Sequence, residues 1–195
     1  MPPSQPSLES RLRNLRYHLQ KGAEARGTRI FRPYEGPDKH AEKTLREPLY
    51  EEHPEFHETI RLLSIVFVEY LDLEHFKATL TPERRKNERG ESVGGIVLLA
   101  NWLSDALGVT TIVADRLKSA LQRVQAVRSK ISGSHRFSDS GYQNALKQLN
   151  LKASASTREV YRAVAEPVAE VLEGLCIELG LRDEIWWLRR SGPGG

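Results

Sequence analysis

The sequence predicts an all-α fold: a bundle of four to five helices with an N-terminal helical arm and a long irregular connection. Three observations carry that expectation. Apolar residues recur at steps of three and four in segment after segment, no alternating strand pattern runs beyond a few residues, and glycines stand where the apolar stripes stop.

In chain order, the arm comes first. Leu8, Leu12, Leu15 and Leu19 form one stripe of a helix whose other faces carry Arg11, Arg13, Arg16 and Lys21, and Gly22 and Gly27 end it. Residues 1–27 are therefore read as an arm that buries its leucines against the body or a second chain. Residues 28–54 hold Pro33, Gly36, Pro37, Pro48 and Pro54, which break any long helix. They are expected to form an irregular connection with one turn of helix around Lys39–Arg46. The body is predicted over 55–190, and 191–195, SGPGG, is a flexible tail.

Within the body, Ile60, Leu63, Phe67 and Leu71 mark one helix face, widened by Val66, Tyr70 and Leu73. Residues 81–92, TPERRKNERGES, read as a polar loop. Val93, Ile96, Val97, Ala100, Leu103 and Leu107 define a helix stopped at Gly108, its first turn weakened by Gly94 and Gly95. Thr110 or Thr111 then caps the most regular helix, with Val113, Leu117, Ala120, Val124, Val127 and Ile131 on its stripe and Gly133 at its end. A shorter helix carries Tyr142, Leu146 and Leu149. The last long one carries Val160, Val164, Val168, Val171, Leu175 and Leu179, is N-capped by Ser156 or Thr157, and is kinked or restarted at Pro167.

Composition narrows the function classes. With 29 Lys and Arg against 26 Asp and Glu, the net charge of +3 and pI near 9.0 permit an anionic partner such as RNA without demanding one. The one cysteine, Cys176, lies in an apolar helical run and reads as a core residue; the lack of a disulfide framework points to a reducing, cytoplasmic setting. No apolar run approaches the roughly 20 residues of a membrane span, and the N-terminus lacks a signal-peptide core. No cofactor is expected, because there is no Gly-rich phosphate loop, Cys/His zinc pattern or serine nucleophile elbow. His53 and His57 are four apart, but Pro54 between them argues for a surface cluster and against a metal site. Basic residues interleaved with acids, and no compact helix-turn-helix, speak against a DNA-binding regulator.

The string with most chemical content is VRSKISGSHRF, Val127 to Phe137. Arg128 lies at the border of the apolar stripe near the end of the regular helix, and His135 follows seven positions later, past the Gly133 cap. A guanidinium holds a phosphate through two parallel hydrogen bonds, and an imidazole titrating near neutrality moves a proton to or from a ribose 2′-hydroxyl or a leaving oxygen. Ser132, Ser134 and Arg136 can add phosphate contacts, and Arg84, Arg85 and Lys86 form a second candidate RNA contact in the polar loop. Trp186 and Trp187 can stack on bases or pack on the body.

An all-helical body in which Arg, six intervening residues and His close a late core helix resembles the HEPN superfamily. The resemblance covers roughly Glu55 to Leu181. It implies an RNase of a defence or toxin–antitoxin system, or a noncatalytic relative, with the site formed across a homodimer. Carried over by position, Arg128 is the phosphate-binding cation and His135 the general acid–base residue. The chain departs from the commoner form in having Ser129 after the Arg. The rival reading is a non-enzymatic helical adaptor acting through protein contacts made by the Leu8–Leu19 arm, the charged connection and the Trp pair. A purely structural reading of the motif pairs Arg128 with a nearby carboxylate and leaves His135 and Arg136 on a solvated turn.

Overall fold

The protein is all-α. A computed structural model describes residues 6–49, 53–132 and 139–189. Its α-helices are α1 (Leu8–Glu24), α2 (Ala41–Thr44), α3 (His53–Ser64), α4 (Leu73–Thr79), α5 (Gly95–Leu107), α6 (Thr111–Ser132), α7 (Asp139–Gln148), α8 (Thr157–Glu178) and α9 (Trp186–Arg189). No strand occurs among the described residues, only the isolated bridges Phe31–Leu71 and Lys86–Ser92. No described helix is long and apolar enough to cross a membrane. Contacts divide the chain into two compact units. One comprises Met1–Pro33, Leu71–Lys118 and Ala169–Gly195, and the other Tyr34–Tyr70 and Ser119–Val168.

In the first unit, α1 buries its leucine stripe within the chain. Leu12, Leu15 and Leu19 are at most 1% exposed, so the arm is part of a core. Polar contacts hold it in place. Arg11 pairs with Glu173 at 2.9 Å, Arg26 donates to the carbonyls of Gly22 and Leu179 at 2.7 Å, and the Arg16 guanidinium lies 4.2 Å from the centre of the Phe31 ring. Helix α4 is a separate element that the apolar pattern merges with its predecessor. Asp72 caps it, accepting from the His75 amide at 3.2 Å, and Phe76 packs on the fully buried Trp102 of α5 with ring centres 4.9 Å apart.

The glycine that weakens the start of α5 has a packing reason. A Cβ on Gly95 would meet the Leu73 side chain at 2.8 Å. Gly108 ends the helix at φ +68°, a left-handed cap whose N–H returns to the Leu103 carbonyl. Burial pushes the Cys176 thiol up to about 12, with the Glu173 carboxylate adding to the effect.

In the second unit, part of the connection is ordered. A 3₁₀ turn over Gly36–His40 runs into α2, and Ala41 and Leu45 are buried. The Tyr70 hydroxyl pins this stretch, donating to the Glu35 carbonyl at 3.3 Å and Asp38 Oδ2 at 3.1 Å. Phe56 of α3 meets the Tyr142 ring edge-on, centres 5.8 Å apart, and the Tyr142 hydroxyl donates to the Ala155 carbonyl at 2.8 Å. Helix α8 opens on a reciprocal cap. Ser156 Oγ accepts from the Glu159 amide at 3.1 Å, and Glu159 Oε2 accepts from the Ser156 amide at 2.6 Å. It runs on through Pro167 as one helix.

Helix α3 does not continue regularly through the apolar run that follows it. Residues Ile65–Glu69 form a π-helical turn before the chain breaks at Tyr70. Four consecutive side chains, Ile65, Val66, Phe67 and Val68, are buried there.

Candidate functional site

Arg128 lies in the last turns of α6, flanked on the helix by the fully buried Val127 and the exposed Ser129. Its position at the border of the apolar stripe leaves the side chain 35% exposed. Nη1 donates to Ser64 Oγ at 3.1 Å and forms an ion pair with Glu69 Oε1. Ser64 is fully buried, while Glu69 is one-third exposed. Arg128 also lines a shallow groove of about 630 Å³, together with Gln122, Gln125, Ala126 and Ser129. Every other described side chain of that groove is uncharged, while Arg123 and Lys130 stand exposed elsewhere on the same stretch of α6.

Ser64 and Glu69 were not legible as site residues. In a regular α-helix, positions five apart lie about 140° around the axis, which would put one of them off Arg128. The π turn between them changes the phase. The only signal in sequence is the run of β-branched and aromatic residues IVFV before a glutamate, apolar on every side of a helix at once.

His135, Ser134 and Arg136 lie outside the described residues, and Ser132 is the last residue of α6. The structure therefore places the arginine of the sequence pair and the helix end that leads toward the histidine.

The second candidate contact is organised differently. Arg84, in a 3₁₀ turn over Glu83–Arg85, grips Asp105 of α5 through both edges of a fork, Nε to Oδ2 at 2.7 Å and Nη2 to Oδ1 at 2.9 Å. The Arg85 guanidinium donates to the Leu80 carbonyl, Nε at 2.8 Å. Lys86 is exposed, its backbone bridged to Ser92. Two of these three cations thus hold their own loop in shape.

The remaining candidates resolve simply. Trp187 Nε1 donates to Glu173 at 3.0 Å, whereas Trp186 is 42% exposed. Among the described residues no group of three or more His, Cys, Asp or Glu side chains is arranged to hold a metal ion. No family model matches the chain, and neither a curated protein nor a solved structure matches it.

Proposed function

We propose that this is a HEPN-like helical protein that binds RNA and cleaves it without a metal, with Arg128 as the phosphate-binding cation and His135 as the acid–base residue. One observation supports this above the others. Arg128 is a half-exposed guanidinium, held in place at the end of a 22-residue helix and lining a groove whose other described side chains are uncharged. A permanent cation so placed can grip one phosphodiester.

In the proposed step the ribose 2′-oxygen attacks the adjacent phosphorus, forming a new P–O bond as the bond to the 5′-oxygen breaks. The imidazole of His135 takes the 2′-hydroxyl proton or delivers one to the leaving 5′-oxygen, and Arg128 balances the charge that builds on the phosphoryl oxygens. The products are a 2′,3′-cyclic phosphate and a 5′-hydroxyl. Within this reading the working form is a homodimer acting in a bacterial defence or toxin setting in the cytoplasm.

The test is cleavage of mixed single-stranded RNA in EDTA by wild type, Arg128→Ala and His135→Ala. Cleavage by wild type alone, leaving cyclic phosphate ends, supports the assignment. Equal cleavage by all three removes it.

The ion pair of Arg128 with Glu69 favours a second reading, a non-enzymatic helical module in which this arginine ties α6 to the π turn. That reading predicts that Arg128→Ala lowers the melting temperature and changes nothing in RNA binding. Deleting the N-terminal helix does not discriminate between the two readings, because its leucines are core.

A further inference from the structure

The π turn over Ile65–Glu69 has a geometric consequence at Arg128. The residue before the turn, Ser64, and its last residue, Glu69, are five apart, and both touch the same nitrogen of one guanidinium. On an α-helix that pair would diverge by about 140°. The i→i+5 bonding of a π turn brings residues five apart back toward one face. A short π turn is an uncommon element that recurs at functional sites.

The choice of nitrogen matters as much as the choice of partners. Both contacts fall on Nη1. Among the described residues Nε and Nη2 donate no hydrogen bond. Those two nitrogens form one edge of the guanidinium, and that edge grips a phosphate or carboxylate with two parallel hydrogen bonds.

We propose that the π turn is an arginine-orienting device. Ser64 and Glu69 pin Nη1 of Arg128 so that its Nε–Nη2 edge stays open and fixed for the phosphodiester of a single-stranded RNA. This rests on the reading of Arg128 as a phosphate ligand, and makes Ser64 and Glu69 positioning residues that act through it. A pinned guanidinium has less rotational freedom to lose on binding, so the gain appears as tighter binding of the anion.

The experiment follows the arginine side-chain 15N–1H resonances of the full chain during titration with inorganic phosphate. Loss of one Nε–H signal in Arg128→Lys assigns the resonance. In wild type that signal should move saturably, and the two Nη groups of Arg128 should give separate signals because rotation is restrained. In Ser64→Ala the Nη signals should coalesce and the phosphate midpoint should rise about fivefold, the factor one lost hydrogen bond is worth, and Glu69→Gln should move both in the same direction.

Glu69→Gln also carries a test of sign. A carboxylate that merely competes with phosphate for the arginine predicts tighter phosphate binding once its charge is gone. An orienting carboxylate predicts weaker binding. Tighter binding in Glu69→Gln, or a wild-type Arg128 resonance indifferent to phosphate, overturns the proposal. Ser64→Ala alters no charge and keeps the question answerable should Glu69→Gln fail to fold. If phosphate behaves as expected while RNA binding ignores Arg128→Ala, the orienting device stands and the RNA reading falls.

Discussion

Arg84 and Arg128 look alike in the sequence, each a basic residue near a helix, and each meets a carboxylate in the folded chain. The difference lies in which edge of the guanidinium each one uses. Arg84 gives its Nε–Nη2 edge to Asp105 in a complete fork, so little of its directional capacity is left for an anion. Arg128 gives Nη1 to Ser64 and Glu69 and donates no hydrogen bond from Nε or Nη2 among the described residues. The loop around Arg84 is held together by its cations, whereas the end of α6 holds a cation by means of its neighbours. A basic residue seen in sequence is therefore weak evidence for a nucleic-acid contact until the occupied edge is known.

Five expected outcomes follow from the largest effect to the smallest, and the first three sharpen or break that contrast. The largest is functional. Arg128→Ala should lower RNA cleavage about a hundredfold or more, the usual cost of removing a donor that meets developing charge, while Arg84→Ala stays within about twofold of wild type. Side-by-side initial rates decide it, and equal losses would erase the distinction between the two arginines.

The next outcomes concern stability. Ser64→Ala deletes a fully buried hydroxyl that accepts from Arg128, and urea unfolding should show a loss of about 1 kcal/mol. Arg84→Ala breaks a pair whose members are 43% and 40% exposed, and should cost no more than about 1 kcal/mol. Away from both arginines, Ser156→Ala removes the N-cap of α8 and should cost about 1 kcal/mol in the same assay.

The smallest effect is a pH dependence. Hydrogen bonds from the Ser156 amide and side chain hold the Glu159 carboxyl below the usual range. A depressed folded pKa means the contribution is present above the unfolded value, about 4.3, and is lost as pH falls through the folded one. Glu159→Gln should therefore lower the melting temperature slightly at pH 7 and by less at pH 2, as falling pH removes the wild-type carboxylate. Equal shifts at both pH values would contradict the capping role.

Much of the fold was readable in the sequence, and what escaped did so for local physical reasons. The stripe from Val113 to Ile131 and the stop at Gly108 follow directly from helical period and left-handed capping. The apolar count through Leu71 and Leu73 merges α4 with α3, whereas the chain leaves the helix at Tyr70 after the π turn and restarts on the Asp72 cap. Pro167 reads as an interruption, yet α8 continues through it. In the second candidate contact, nothing in ERRK betrays that Arg84 is turned onto an aspartate twenty-one residues on.

The site was half legible. Arg128 stands out by its spacing from His135 and its place at the edge of a regular stripe. Ser64 and Glu69 could not be found by the same reasoning, since a 3.6-residue period separates them and only the π turn joins them.

The most direct test of the central claim, that Arg128 presents an open edge to RNA phosphate and Arg84 does not, is fluorescence anisotropy with a labelled single-stranded oligoribonucleotide. Wild type, Arg128→Ala and Arg84→Ala would be compared at two salt concentrations. The account predicts weakened binding and a shallower salt dependence for Arg128→Ala, with Arg84→Ala close to wild type. Indistinguishable binding by wild type and Arg128→Ala, or a greater loss in Arg84→Ala, would contradict it.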